Sequence, residues 1–574
     1  MKKVYFLAAA GMLASLNANA DAYYGTPTGA GDKTGESWTD AVAINDLNDD
    51  AAISELGEGD ILYLSEGTYT AGAQAKLRSG FSLIGGFPST ATGTDLSGYD
   101  PWKYKTIIDA KGKNGGSSFI TVVGSQNDIQ NNVLTTVKGI TITGAVGSPD
   151  GDTTYGSYIG SAFSCHSAYL LLEDVTFDKN TSYLGAPVVF NHGAKVHAKH
   201  CVWSNNQNVY DYDGETAAGR SAKNNCFQTI ANCRVSESDA CFTNVVFEGC
   251  SMYNNTIKDT ARAKSTAQYG GAFNLADGAY TYGTNTAFVN CTIDGSGTQI
   301  LQNGGMLRTG NKATLNFFAF NTFFNFSASS ATDVRGNIIS FNGLTPFYFQ
   351  GNIMVTPNAP TTTEDKTNNA IFVQGWNNES MSGIISGGDN SISGTQFNTY
   401  ANNNCTFREQ MTTDDWLAAS QDNVFGGSST TEKDGRYYIL PTDAYKNVNL
   451  ETALNNYESF ALPDCFKWAN IDLSVDMYGK KRAATTYRGA YDPNASDASG
   501  IEDVYAANGK KLTVKALGNG NFAIDGAEGT AEVYDLSGRV ISRQNVENSM
   551  VSIADAANGI YIVRVSGASV KVAR

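Results

Sequence analysis

Glu237 and Asp239 stand two residues apart in the stretch Val235–Cys241. In a strand they would share one face, about 7 Å from each other. That separation falls in the range of paired glycosidase carboxylates, although two solvated acids in a Ser-Glu-Ser turn need no such role. A lyase would instead require a basic group beside the sugar and a cation to neutralise its carboxylate. Arg262, Lys264 and Arg308 have suitable side chains, and they serve equally well as solubilising loop charges. Asp211, Asp213 and Glu215 place three oxygen donors around Gly214, a pattern a calcium ion can occupy. The remainder of an EF-hand is missing, so calcium is permitted and no cofactor is required. Tyr210, Tyr212, Tyr253 and Tyr269 flank the same polar stretches; they could stack on sugar rings or pack over the surface. His197 and His200 are three apart, hence on opposite faces of a strand, and read as ordinary surface or turn residues rather than ligands.

These groups must be held by a framework, and the chain around them repeats. Gly270–Gly297 opens with Gly-Gly-Ala-Phe and closes with a strand-like Phe-Val-Asn-Cys-Thr-Ile. The same two halves recur over Gly160–Asn180 and Gly185–Asn206, and the openings recur at Gly304–Leu307 and Gly336–Ile339. Aligned on the third residue of each opening, the offsets are 34 (272 to 306), 32 (306 to 338) and 33 (338 to 371). A near-constant offset of this size marks a stacked-repeat architecture. The closing halves align as Val175/Phe177, Cys201/Trp203, Val245/Phe247, Cys291/Ile293 and Cys405/Phe407, each pair enclosing one residue such as Thr176 or Thr292. Period-2 patterning on short β-branched and aromatic runs predicts strands. Strands too short to bury a core alone do so when stacked coil on coil. The expected fold is all-β: a right-handed parallel β-helix, with repeats from Gly160 to about Ser393. Two polar interruptions, Gln207–Asn225 and Asn254–Gln268, read as loop insertions, and loops on a rigid scaffold are where function usually sits.

The Gly-Gly-Ala-Phe and Gly-Ser-Ala-Phe openings, with the closes Phe177–Asn180 and Trp203–Asn206, resemble the repeats of polymorphic outer-membrane proteins and pectate-lyase-like β-helix proteins. Asp21–Gly112 resembles the N-terminal module of exported bacterial β-helix proteins through Gly31–Asp46, Gly57–Thr70, Phe81–Pro101 and Thr106–Gly112. There, Asp46–Ile53 is expected to form one or two helical turns over the open edge of the first coil, followed by Ile61–Thr70 as first strand and turn. Phe119–Gly144 continues with core candidates Val137, Ile140 and Ile142. Residues 402–492 depart from the repeat. Thr413–Leu417 has the look of a capped helix, and Asp476–Asp492 resembles the Asp-x-x-Gly-x-x-Arg … Gly-Ala-Tyr ending of many such proteins, which implies a C-terminal cap. The motifs of β-helix polygalacturonases are absent, and no β-helix lyase motif is recognisable.

Met1–Ala20 reads as a secretory signal, with Lys2 and Lys3, an apolar run from Val4 to Leu16, and Ala18 and Ala20 preparing cleavage before Asp21. No later stretch is long enough for a transmembrane segment. Of the nine Cys, Cys201, Cys250, Cys291 and Cys405 fall at equivalent strand starts, which favours an inward ladder over a disulfide framework; Cys226, Cys233 and Cys241 are close enough for one local bridge. No Cys-x-x-Cys occurs, so a structural zinc site is not expected. The formal charge is −16; without the two signal lysines, and with eight acids against eight bases in Gly500–Arg574, the body carries −18. Such a body repels nucleic acid and does not attract polyuronates over distance.

After the linker Pro493–Gly500, seven short strand candidates between Lys511 and Arg574 predict a small immunoglobulin-like sandwich. Val533–Arg543, with Asp535, Gly538 and Arg539, and Asn558–Gly567, with Gly559 and Tyr561, resemble the C-terminal sorting domain of the type IX secretion system. That resemblance implies handling by type IX machinery in a Gram-negative bacterium, then secretion or attachment to the outer face of the outer membrane. The expected divisions are 1–20 signal, 21–499 β-helix and 500–574 sorting domain. The expected role is non-catalytic: an adhesin-like or glycan-binding protein contacting glycans or a host surface. A polysaccharide lyase or glycoside hydrolase working in the groove is the alternative, and a structural surface-layer component a third reading.

Overall fold

The computed structural model describes residues 21–44, 56–70, 75–112, 114–115, 118–147, 161–182, 186–209, 229–231, 242–258, 273–275, 283–295, 299–300, 306–309, 315–328, 338–342, 347–354, 371–374, 384–392, 398–399, 430–433, 436–441, 443–459, 464–496, 504–505, 511–518, 521–525, 529–534, 540–546, 550–553, 560–565 and 568–573. Contacts divide the chain into two compact units, Met1–Ala495 and Ser496–Arg574.

In the first unit every long ladder is parallel. The first sheet has twelve strands, including Ala22–Thr26, Ile61–Ser65, Leu134–Lys138, Tyr169–Glu173, Lys195–Lys199 and Phe242–Glu248. The second sheet has ten, among them Gly67–Thr70, Thr106–Asp109, Ile140–Thr143, Thr176–Asp178 and Val202–Ser204. The third also has ten, among them Phe163–His166, Val188–Asn191, Thr229–Ala231, Phe273–Leu275 and Leu307–Thr309. Each coil visits the three sheets in turn. A parallel crossover in L-amino-acid chains is right-handed, and the result is a right-handed parallel β-helix. The stack begins earlier than the repeats suggest: Ala22–Thr26 pairs outside Ile61–Ser65, with Val42–Ala43 on its free side. It also runs on to Asn398–Thr399. The helical turns expected over Asp46–Ile53 and at Thr413–Leu417 lie outside the described residues.

Stacking turns equivalent positions into columns. Phe247, Phe288, Phe318 and Phe349 form an inward column, with centroids 4.8, 5.6 and 5.0 Å apart and interplanar angles of at most 12°. Between the first and second sheets each coil turns through a left-handed residue: Asp174 (φ 55), His200 (54), Gly249 (59), Asn290 (54), Phe320 (52) and Gly351 (62). The residue after it points inward. That column runs Val175, Cys201, Cys250, Cys291, then Asn321, Asn352 and Asn390, all buried. Each Asn carboxamide accepts from the backbone N–H of the preceding coil, as from Asn321 N to Asn352 Oδ1 at 3.0 Å, and donates to a carbonyl such as Phe318 O at 3.0 Å. The next corner repeats the device with Asn180, Asn206 and Asn255. These ladders satisfy backbone groups that a buried corner would orphan, which accounts for Asn at the close of Phe177–Asn180 and Trp203–Asn206.

The strand register corrects the alignment in two places. Trp203 pairs with Met252, and Met252 with Ile293, so Val245 and Phe247 belong to the first sheet and not to the Cys201/Trp203 column. Ile339 pairs with Ile371, so the last coil offset is 32 rather than 33. The first slip arises because Phe-Val-type pairs on two different sheets look alike in sequence; the second is a one-residue shift within the third sheet, between the adjacent Ile338 and Ile339. Cys201, Cys250 and Cys291 form the expected inward thiol ladder, while Cys405 lies outside the described residues. The polar interruptions start later than expected, because Gln207–Val209 and Thr256–Lys258 are strands of a fourth, short sheet.

The described residues of 430–492, the segment expected to close the helix, contact both middle and late coils. They lie lengthwise along the stack as a strap. Outward residues of the first sheet in later coils are apolar (Val246, Ala287, Phe317, Tyr348), and the strap buries them under Val448, Ala453, Phe466 and Leu473. Covering this apolar stripe removes apolar area from water and stabilises the stack accordingly. Arg482 sits at the centre, 3% exposed, with its guanidinium 4.3 Å from the Phe320 ring centroid.

The second unit has two antiparallel four-stranded sheets, from Val504–Tyr505, Lys511–Gly518, Asn521–Asp525 and Met550–Ser552, and from Val540–Asn545, Thr530–Tyr534, Ile560–Val565 and Ala568–Ala573. Phe522, Ile524, Val533, Val551, Tyr561 and Val563 form its core. The seven expected strands are present, with Val504–Tyr505 added.

Candidate functional site

The third sheet carries the neighbourhood of most sequence candidates. Arg308 lies on Leu307–Thr309, its backbone in register with Asn274 on one side and Ser340 on the other. The connections carrying Tyr210, Asp211, Tyr212, Asp213 and Glu215 (210–228) and Arg262, Lys264 and Tyr269 (259–272) both enter this sheet, on successive coils. The connection carrying Glu237 and Asp239 (232–241) leaves it. All these loop residues lie outside the described residues, as do Ala18, Ala20, Asp535, Gly538, Arg539 and Gly559. Tyr561 is buried in the core of the second unit.

Tyr253 is described, and its ring stacks on Tyr437 of the strap at 4.9 Å; Tyr437 in turn faces Phe324 at 6.1 Å. The ring therefore holds the strap down on the side facing Tyr437.

His197 and His200 are not ordinary surface residues, because the strap covers them. His197 Nε2 meets Glu248 Oε2 at 2.8 Å, and its ring lies edge-on to Trp468 at 6.1 Å. His200, in the left-handed turn position, places Nδ1 3.7 Å from Asp174 Oδ1, while Tyr99 OH donates to Asp174 Oδ2 at 2.9 Å. Lys138 and Glu173 form a 2.7 Å ion pair in the adjoining row, which continues in register to Lys199 and Glu248. Arg436 of the strap donates to Met477 O and to Gly249 O above the same corner. Burial, reinforced by Glu173, pushes the Asp174 carboxyl up to about 6 against the pull of Lys138 and Arg436. Burial, and then the Arg436 charge, holds His200 well below its ordinary value. Burial alone would raise Glu248, but the His197 hydrogen bond and the Lys199 charge outweigh it and keep that carboxyl low.

Perturbed acids and histidines of this kind mark active sites and structural hubs alike. The side chains of His200 and Asp174 are 15% and 14% exposed, beneath Arg436 and Met477. A cluster so covered fastens three parts of the chain: the N-terminal module through Tyr99, the coils, and the strap. Sequence spacing gave no sign of it, since its members come from positions 99, 138, 174, 200, 248 and 436. Among the described residues no group of three or more His, Cys, Asp or Glu side chains is arranged to hold a metal. A second feature is the outer face of the second sheet in the early coils, where Thr68, Thr141 and Thr176 share a column with Ile107, and Thr70, Asp109, Thr143 and Asp178 form another. Its signal was present in Thr68-Tyr69-Thr70, Thr141-Ile142-Thr143 and Thr176-Phe177-Asp178.

Residues 504–574 match the family described as secretion system C-terminal sorting domain. No curated protein matches the chain. Among solved structures, the crystal structure of pectate lyase Pel9A is similar at 14% identity, covering 82% of this chain and 96% of that one, with a TM-score of 0.34. That likeness is too distant to bear on activity, and the β-helix rests on its own ladders. No described helix is long and apolar enough to cross a membrane. The chain is thus a secreted or cell-surface parallel β-helix protein whose C-terminal unit belongs to the type IX secretion sorting-domain family.

Proposed function

We propose that the exported β-helix binds glycans without turning them over, on the third-sheet face around Thr229–Ala231 and Phe273–Leu275. The observation that supports this reading is the length of the connections on both sides of these two strands. Connections 210–228 and 259–272 enter them, and 232–241 and 276–282 leave them. On the coil before, the equivalent connections are only 183–187 and 192–194. Long connections on a rigid scaffold are where binding usually sits. Arg308, Asn274 and Ser340 share one register row there. Tyr210, Tyr212 and Tyr269 would supply stacking rings, and Asp211, Asp213 and Glu215 oxygen ligands for a calcium ion. Fold alone does not decide between binding and catalysis.

The test is incubation of the purified mature chain with neutral and acidic glycans, with and without calcium. Retention is followed by affinity electrophoresis, and turnover by absorbance at 235 nm and by reducing ends. Retention without products supports binding. Unsaturated or reducing products overturn it in favour of a lyase or hydrolase, with Glu237, Asp239, Arg262 and Arg308 as the first alanine targets.

A further inference from the structure

Several polar side chains inside the coils serve the turns. Thr135 Oγ1 accepts from Gly80 N at 2.9 Å and Thr243 Oγ1 from Gly193 N at 3.1 Å, each capping a turn into the first sheet. The carboxamides of Asn321, Asn352 and Asn390 do the same at the turn that follows. One place on the first sheet departs from this use. Thr284 and Thr286 on the strand Gly283–Val289, and Asn316 on Leu315–Ala319, are 0% exposed. Yet Thr284 Oγ1, Thr286 Oγ1 and both polar atoms of the Asn316 carboxamide make no hydrogen bond to the protein.

Alternation fixes where these side chains point. Leu315 and Phe317, on either side of Asn316, belong to the cluster under the strap, as do Ala287 and Val289. Phe288 and Phe318 belong to the central core. Period 2 therefore turns Thr284, Thr286 and Asn316 into the lumen. Thr286 and Asn316 interrupt an inward column that register runs through Leu170, Val196 and Val245 before them. They are partners on adjacent coils, about 4.8 Å apart, and Thr284 stands about 7 Å from Thr286 on the same strand face. Two residues further along each strand, Phe288 and Phe318 stack at 5.6 Å with planes 2° from parallel, and bound the polar patch on that side.

A buried hydroxyl or carboxamide with nothing to bond is costly. Val at 286 would fill the same volume without that cost, as Val245 does one coil earlier. The chemistry of the set selects what it holds. Asn316 presents an acceptor and a two-proton donor, and each threonine a donor and an acceptor. A cation would use the oxygens and leave Asn316 Nδ2 unserved, and an anion would do the reverse. The column carries no charged side chain to balance either ion. Water both donates and accepts, and internal waters sit where several such groups converge.

We propose that the lumen of the β-helix holds ordered water here, bound between Asn316 and Thr286 and extended along the strand face to Thr284. These residues directly follow, in the same two coils, the third-sheet strands Phe273–Leu275 and Leu307–Thr309. The assignment is nonetheless independent of the glycan-binding reading. The competing arrangement is a direct bond from Thr286 Oγ1 to Asn316 after a side-chain rotation. It would satisfy one hydroxyl and leave Thr284 and part of the carboxamide unpaired.

The experiment is a crystal structure of the full mature chain grown in a rubidium salt, at a resolution that shows ordered solvent. It is paired with oxygen-17 relaxation dispersion of water in solution, on the parent and on the double variant Thr286→Val/Asn316→Leu, with circular dichroism checking the fold. Expected is a solvent peak about 2.7–3.2 Å from polar atoms of Asn316 and Thr286, without anomalous signal. The long-lived internal water seen by relaxation should fall in the variant. Thr286 Oγ1 bonded directly to Asn316 with no solvent peak overturns the proposal. A peak carrying the anomalous signal of rubidium overturns water in favour of a monovalent cation. Undiminished internal water in a folded variant overturns the site in solution, and if the variant does not fold the parent crystal alone decides.

Discussion

Replacing Arg482 with Met should release the strap while leaving the coils stacked. The guanidinium donates from Nε to Val475 O at 3.1 Å and from Nη2 to Asn290 Oδ1 at 2.9 Å and Gly489 O at 3.0 Å. Longer bonds reach Thr486 Oγ1 and Tyr487 O at 3.3 Å. Each short charge-assisted bond contributes about 1.5–3 kcal/mol, and its loss orphans a buried acceptor. Against this stands the cost of burying the charge: desolvation lowers the Arg482 pKa to about 10 from 12.5, despite Asp476 and Asp492, which corresponds to roughly 3 kcal/mol. The net loss for Arg482→Met is therefore about 4 kcal/mol, in line with other broken buried ionic networks. Hydrogen exchange reads it locally. The amides of Met477, Arg488 and Gly489, bonded to Ala490, Tyr445 and Gly351, should exchange roughly a thousand-fold faster. Those of Phe163–His166, on the third sheet, should not change. Unchanged protection across 475–490 would refute the keystone role; equal loss in the coils would refute the idea that the strap opens on its own.

The corner cluster has a pH signature with two opposing parts. Asp174, raised to about 6 from 3.8, costs stability that is fully present above pH 6 and gone below 3.8, so Asp174→Asn should stabilise by about 3 kcal/mol at pH 7.5 and by nothing near pH 3.5 in denaturant titrations. His200, lowered by burial, contributes stability present above its unfolded value of 6.5 and lost as pH falls through and below it. His200→Gln should accordingly flatten the acid limb between pH 6.5 and 5, and an unchanged limb would show that another group carries it. Asn206→Leu removes the bonds to Phe177 O and Asn255 Oδ1 and the acceptor for Asn180 N; a loss of roughly 3 kcal/mol should lower the denaturant midpoint. Phe288→Ala, between Phe247 and Phe318, should cost about 3–5 kcal/mol, read by the same titration.

Much of this molecule could be read from its residues in one dimension. Alternation in Val175–Phe177 and Cys201–Trp203 specifies strands, because period 2 is local geometry. A recurring offset near 32 specifies stacking, because a short strand buries nothing alone. The Asn that closes Phe177–Asn180 and Trp203–Asn206, the inward thiols and the strands of the sorting domain follow from the same local rules. Which sheet a Phe-Val pair joins could not be read, and Val245/Phe247 was misaligned for that reason: register depends on loop lengths that pairing resolves only in three dimensions. The covered histidines and the strap could not be read either. Asp174, His200 and Arg436 carry unremarkable local sequence, and meet only because an apolar stripe on the first sheet draws residues 430–492 back along the coils. Local chemistry determined the elements; long-range burial decided which polar groups face water and which are sealed.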